Sequence, residues 1–167
     1  MAITGLAQER MHRAGASEKL VGLLKGPRSA ETAHRALLAL RIMSDKEADR
    51  LAIMRAGGVD ALVHLLQSGP LSESAEFATA VLGNLAAGSQ IIKDKIREAG
   101  AIEPLVRLLQ DEPGEIAAEL AAVVLRNLAS GKEASRQAIV DAGGLWPLLS
   151  LLATGQERLV YPMPCKV

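Results

Sequence analysis

A twelve-residue segment occurs four times in this chain, at 13–24, 55–66, 98–109 and 141–152. Each copy has a charged residue, an Ala-Gly pair and then an apolar run that closes on Leu-Leu. Gly15, Gly57, Gly100 and Gly143 set intervals of 42, 43 and 43 residues, and Pro27, Pro70 and Pro113 keep a spacing of 43. A fixed period of this size requires stacked supersecondary units, because one unit cannot bury its apolar face without a neighbour.

Each period contains three helical patterns. Residues 93–99 and 132–142 read as a short helix ended by Ala-Gly, the glycine supplying the left-handed backbone that closes a helix. The next helix spans 102–110, with Pro104 in the first turn, where its missing N–H costs little. Leu105, Val106, Leu108 and Leu109 then form a stripe at helical spacing. Pro113 opens a third, longer helix that runs to about Ser130. Aromatic residues make up only 2% of the chain while alanine is abundant, which suits close helix–helix stacking. The expected fold class is all-α. The units are a degenerate repeat over 1–44, repeats over 45–87 and 88–130, and a partial repeat over 131–153 with its first two helices. A tail over 154–167 follows, where Pro162 and Pro164 forbid a helix.

The third helices end in Leu82-Gly83-Asn84-Leu85-Ala86 and Leu125-Arg126-Asn127-Leu128-Ala129. With this ending and three helices per period, the chain resembles the armadillo repeat family over about residues 5–153. The resemblance implies a right-handed α-α superhelix. It also implies a groove on the third helices for an extended peptide or a partner helix, with Asn84 and Asn127 bonding a peptide backbone. An amide carries both donors and an acceptor, so it can hold a peptide unit without reading its side chain. The alternative is that each Asn satisfies a backbone group near its own helix end.

Counting 100° per residue separates two faces of the third helix. Ala78, Thr79, Leu82 and Leu85, and their counterparts Ala121, Ala122, Leu125 and Leu128, face the core. The opposite stripe holds Glu73, Phe77, Ala80 and Asn84, then Ile116, Leu120, Val123 and Asn127, with Arg126 at its edge. In a solenoid such stripes line up on the concave surface. An apolar stripe rimmed by charge suits an amphipathic helix or a peptide with spaced Leu/Phe anchors; the competing expectation is that neighbouring third helices bury part of it. Nuclear-import adaptors of the family carry Trp four residues before the Asn, whereas Ala80 and Val123 stand there in this chain. Trp146, the only Trp, falls in the second helix of the last copy as a packing or end-surface residue.

Repeat 1 admits two registers. Unbroken spacing puts Arg41 in the Asn position and Arg35 in the core. A shift of one residue puts Ile42 there and restores Ala36, Leu37, Leu40 and Met43 as core, which the cost of burying a charge favours.

The remaining composition excludes several functions. Lys and Arg number 19 against 19 Asp and Glu, so the net charge of zero leaves no electrostatic footprint for nucleic acid or an anionic membrane. The N-terminal residues lack a basic segment followed by an apolar one, and no stretch approaches the roughly 20 apolar residues that span a bilayer. Cys165, the only cysteine, offers neither a disulfide nor a zinc cluster, so a cytoplasmic or nuclear location is expected.

Catalytic groups are equally sparse. His12, His34 and His64 fall on three different helices without partners at metal spacing. Gly131-Lys132-Glu133 lacks the remainder of a phosphate loop, and Cys165 has no activating base nearby. The expected function is therefore a non-catalytic protein-interaction scaffold or adaptor that needs no metal or cofactor. A substrate-recruiting part of a larger ubiquitin ligase and a membrane- or vacuole-associated adaptor are alternatives. An importin-like adaptor ranks below these, and a helical-repeat lyase last. Leu145, Trp146, Leu148, Leu149, Leu151 and Leu152 form an uncapped last unit, which predicts self-association or marginal stability of the isolated chain.

Overall fold

The computed structural model describes residues 10, 15–26, 29–68, 73–110 and 115–153. Pro27, Pro70, Pro113, His12 and the tail over 154–167 lie outside them. The described elements are α1 (Ala16–Lys25), α2 (Ala30–Met43), α3 (Glu47–Arg55), α4 (Gly58–Ser68), α5 (Glu73–Ala86), α6 (Gln90–Glu98), α7 (Ile102–Gln110), α8 (Glu115–Ala129), α9 (Glu133–Asp141) and α10 (Leu145–Ala153). The short α3, α6 and α9 are the first helices of their units. The second helices are α1, α4, α7 and α10, and the third helices are α2, α5 and α8.

Gly57, Gly100 and Gly143 make the turn from first to second helix, with φ of 77°, 76° and 76°. There a side chain would crowd the following carbonyl, so the glycine beat seen in the sequence is a backbone requirement. The Gly57 N–H bonds the Met54 carbonyl at 2.9 Å, and the Gly143 N–H bonds that of Val140 at the same distance. Each second helix then starts at a fixed angle to the first, and the units stack in phase. In that stack α2, α5 and α8 pack side by side in one row, and α1, α4, α7 and α10 in another. A single apolar cluster runs between the rows from Val21 to Ile139.

Burial settles the register of repeat 1. Ala36, Leu37, Leu40 and Met43 are buried, while Ile42 is 53% exposed and Arg35 lies at the surface. The shifted register therefore holds, and α2 ends one residue earlier relative to its core than α5 and α8 do. One core expectation fails. Ala122 is only half-buried, whereas Thr79, its counterpart in repeat 2, is fully buried with its hydroxyl donating to the Ala75 carbonyl at 2.7 Å. The difference is positional: α8 covers α5, but no described helix covers α8 on its outer side.

Polar ties close the gaps between units. Arg50 donates to the Ser44 and Asp45 carbonyls at 2.7 and 2.9 Å. Arg136, two units on, donates to those of Ala129 and Gly131 at 3.1 and 2.9 Å. These cations satisfy carbonyls at and just beyond a third-helix C-terminus, where the helix dipole favours positive charge. Lys93 holds the same position in repeat 3 and donates to Ser130 Oγ at 3.0 Å instead.

Candidate functional site

The row of third helices leaves a hollow of about 270 Å³, lined by Arg41 of α2, Glu76, Phe77 and Ala80 of α5, and Ile116 and Leu120 of α8. Helical spacing explains the grouping, because residues three or four apart share a face. Phe77 is fixed from behind by His34 of α2, with ring centroids 4.5 Å apart and planes at 75°, the edge-to-face geometry that aromatic quadrupoles favour. Ile116 is 64% exposed at the opposite wall. The hollow thus presents an apolar floor between one cation and one carboxylate.

Four of the residues expected from the sequence, Phe77, Ala80, Ile116 and Leu120, meet in this hollow. Arg41 and Glu76 join them and were not among the expected site residues. In the shifted register Arg41 stands one residue before the Asn position, as Arg126 does, and that equivalence is the signal that points to it. The Glu73 side chain lies outside the described residues.

Val123 and Arg126 stand elsewhere. They line a second, larger hollow of about 620 Å³ with Ala122, Leu125 and Ala129 of α8, Arg136, Ile139 and Val140 of α9, and Leu145 and Leu148 of α10. This is the outer end of the stack, where Trp146 is 61% exposed.

The asparagines are half-buried and their donors are engaged within the chain. Asn84 Nδ2 donates to Ser44 Oγ at 2.8 Å and to the Arg41 carbonyl at 3.3 Å. Asn127 Nδ2 donates to the Gly83 carbonyl at 3.2 Å. Each amide thus reaches the preceding third helix. Its Oδ1 has no hydrogen-bond donor among the described residues and can accept an N–H.

Among the described residues no group of three or more His, Cys, Asp or Glu is placed to hold a metal ion. No described helix is long and apolar enough to cross a membrane.

The model of the Armadillo/beta-catenin-like repeat matches residues 89–130, which span α6, α7 and α8. A designed armadillo repeat protein solved in complex with the peptide (KR)4 is 32% identical, with a TM-score of 0.81 over 92% of this chain and 63% of its own. Computationally designed armadillo repeat proteins for modular peptide recognition are 32% identical, with a TM-score of 0.80 and the same coverage. A further engineered protein is 36% identical, with a TM-score of 0.81 over 90% of this chain and 60% of its own. Comparison with curated proteins gives no match. The chain has the fold of an armadillo-repeat α-solenoid, and its residues 89–130 match the repeat itself. It spans less than two thirds of the length of each of these structures.

Proposed function

We propose that this chain is a non-catalytic protein-interaction module of a cytoplasmic or nuclear scaffold or adaptor, and that it takes an extended peptide or amphipathic helix along α2, α5 and α8. The observation that carries this reading is the hollow between Arg41, Glu76, Phe77, Ala80, Ile116 and Leu120. A row of third helices packed without a gap would give a ligand no anchor, whereas this one offers an apolar depression at the centre of the array. A bulky apolar side chain fits its floor, and the Oδ1 atoms of Asn84 and Asn127, farther along α5 and α8, can accept peptide N–H groups. The likeness to designed proteins made for peptide recognition supports the peptide as ligand class.

The ligand chemistry differs from that of the designed protein bound to (KR)4. In this chain the α2 wall carries Arg41, Glu76 is the single carboxylate of the hollow, and apolar residues fill the floor, so a run of cations finds no acidic array.

Fluorescence anisotropy with two labelled peptides tests the reading. One is (KR)4 and the other is amphipathic with Leu and Phe anchors, each titrated at low and high salt. Salt-tolerant binding of the apolar peptide, weakened by Phe77→Ala, is the expected result. Salt-sensitive binding of (KR)4 alone overturns it.

A further inference from the structure

The hollow on the row of third helices holds its two charges apart from one another. His34 faces Phe77 and the Arg41 carbonyl faces Asn84, each pair 43 residues apart, so α2 and α5 run level and in the same direction. Asn84 is therefore the residue of α5 beside Arg41, and Glu76 lies eight residues before it. At about 1.5 Å per residue that is about 12 Å along the helix axis. With axes about 8–10 Å apart, the α-carbons of Arg41 and Glu76 are about 15 Å from each other. Phe77 and Ala80 of the floor stand between those two levels on α5.

Neither charge is engaged inside the chain. Arg35, Arg50, Arg97 and Arg136 each pair with a carboxylate of their own helix. Among the described residues the Arg41 guanidinium and the Glu76 carboxylate have no hydrogen-bond or ion-pair partner, and they do not pair with each other. Arg41 is exposed and Glu76 half-buried. When a bound chain covers such a charge, its desolvation opposes binding unless an opposite charge meets it.

We propose that Arg41 and Glu76 select the ligand by charge: the preferred extended peptide carries a carboxylate on one side of its apolar anchor and a cation on the other. The selection rests on the groove reading and deepens it. An extended chain advances about 3.3 Å per residue and turns every second side chain to the same face. An anchor at position i thus sends residues i−2 and i+2 toward the groove about 13 Å apart, close to the separation of Arg41 and Glu76. A peptide with two carboxylates, or with two cations, meets one opposite charge and one like charge there. The net charge of the chain is zero, so long-range attraction favours none of these peptides.

The experiment measures the anisotropy of fluorescein-labelled peptides on the full chain at low salt. All share one Leu-anchored sequence. Positions i−2 and i+2 hold two Gln, two Asp, two Lys, or Asp and Lys in either order. The tighter of the two mixed peptides should bind about threefold or more tightly than the two-Asp and two-Lys peptides. Arg41→Glu makes both charges of the hollow negative, and the two-Lys peptide should then bind most tightly. Glu76→Lys makes both positive, and the two-Asp peptide should take first place. Neither side chain bonds a described residue, so far-UV circular dichroism and the affinity for the Gln peptide should stay those of the parent.

Equal affinities among the charged peptides overturn the proposal, as does a preference of the parent that both charge reversals leave in place. If the Gln peptide binds while the charged ones do not differ, the groove stands and only the charge selection falls. If no peptide binds, the groove reading falls as well.

Discussion

The side-chain amide of Asn127 donates to the backbone carbonyl of Gly83 at 3.2 Å, and thereby ties α8 to the last turn of α5. Asn84 repeats the tie from α5 to α2. Removing the amide leaves a carbonyl at a half-buried helix contact with one partner fewer. Asn127→Ala is expected to lower stability by about 1 kcal/mol, within a range of about 0.5–2. Urea unfolding checks this: the midpoint should fall with an unchanged slope. An unmoved midpoint would mean that water replaces the amide at no cost.

The register of repeat 1 makes a sharp contrast between two neighbouring residues. Leu40 is wholly buried between α2 and its partners, and Leu40→Ala should cost about 2–5 kcal/mol. Ile42 is largely exposed, and Ile42→Ala should cost less than about 0.5 kcal/mol. The same urea series measures both, and a reversed order would restore the unbroken spacing.

Most of the fold was legible because its determinants are local. A glycine at positive φ and an apolar stripe at helical spacing are readable wherever they stand, and four phased copies make them unambiguous. The partner of Asn127 was not legible, since it is a carbonyl 44 residues away that only stacking brings near. The same applies to Val123 and Arg126. They continue the stripe of the third helices, but α8 has no described third helix beyond it, so its outer side belongs to the end of the stack. Ala80, in the position of Val123, lies one unit inside and lines the smaller hollow. Arg41 was hidden for a related reason: the shift of one residue in repeat 1 had to be settled by burial before Arg41 could be aligned with Arg126, while Glu76 stands one residue off the stripe, beside Phe77.

Two glycines should respond to alanine in opposite directions. At Gly83, inside α5, an added Cβ meets Val124 Cγ2 and Val123 Cγ1 at 3.7 and 3.8 Å, which is ordinary contact. The substitution removes helix-breaking entropy and should stabilise by about 0.5–1 kcal/mol. At Gly100, a Cβ has open space around it, but the backbone sits at φ 76°. Gly100→Ala should therefore destabilise by about 1–2 kcal/mol. Thermal melts of the two variants should move to opposite sides of the parent.

Asp94 links repeat 3 to the next unit. Lys132 Nζ donates to it at 2.8 Å and Gln90 Nε2 at 3.1 Å, and these bonds, led by that of Lys132, hold its carboxyl below the ordinary aspartate value of 3.8. A carboxyl depressed in the folded state contributes stability above its unfolded value and loses it as pH falls through the folded one. Asp94→Asn should accordingly lower the melting temperature near neutral pH, with the gap to the parent closing below about pH 4. A gap that stays constant with pH would assign the effect to shape rather than charge.

Ile116 gives the cleanest test of the groove because it is 64% exposed and its loss empties no core. Ile116→Asp should change stability by less than about 0.5 kcal/mol. In the hollow, however, the new carboxylate joins Glu76 beside the apolar floor formed with Phe77, Ala80 and Leu120, and a Leu or Phe anchor seated there would bury a carboxylate in excess of the single cation Arg41. Affinity for an apolar-anchored peptide should fall by about tenfold or more, since desolvating such a charge exceeds about 1.4 kcal/mol. Val140→Asp, on the outer end of the stack, should leave that affinity unchanged. If both substitutions weaken the same peptide equally, the peptide does not discriminate between the two hollows. If neither does, the peptide binds outside the row of α2, α5 and α8.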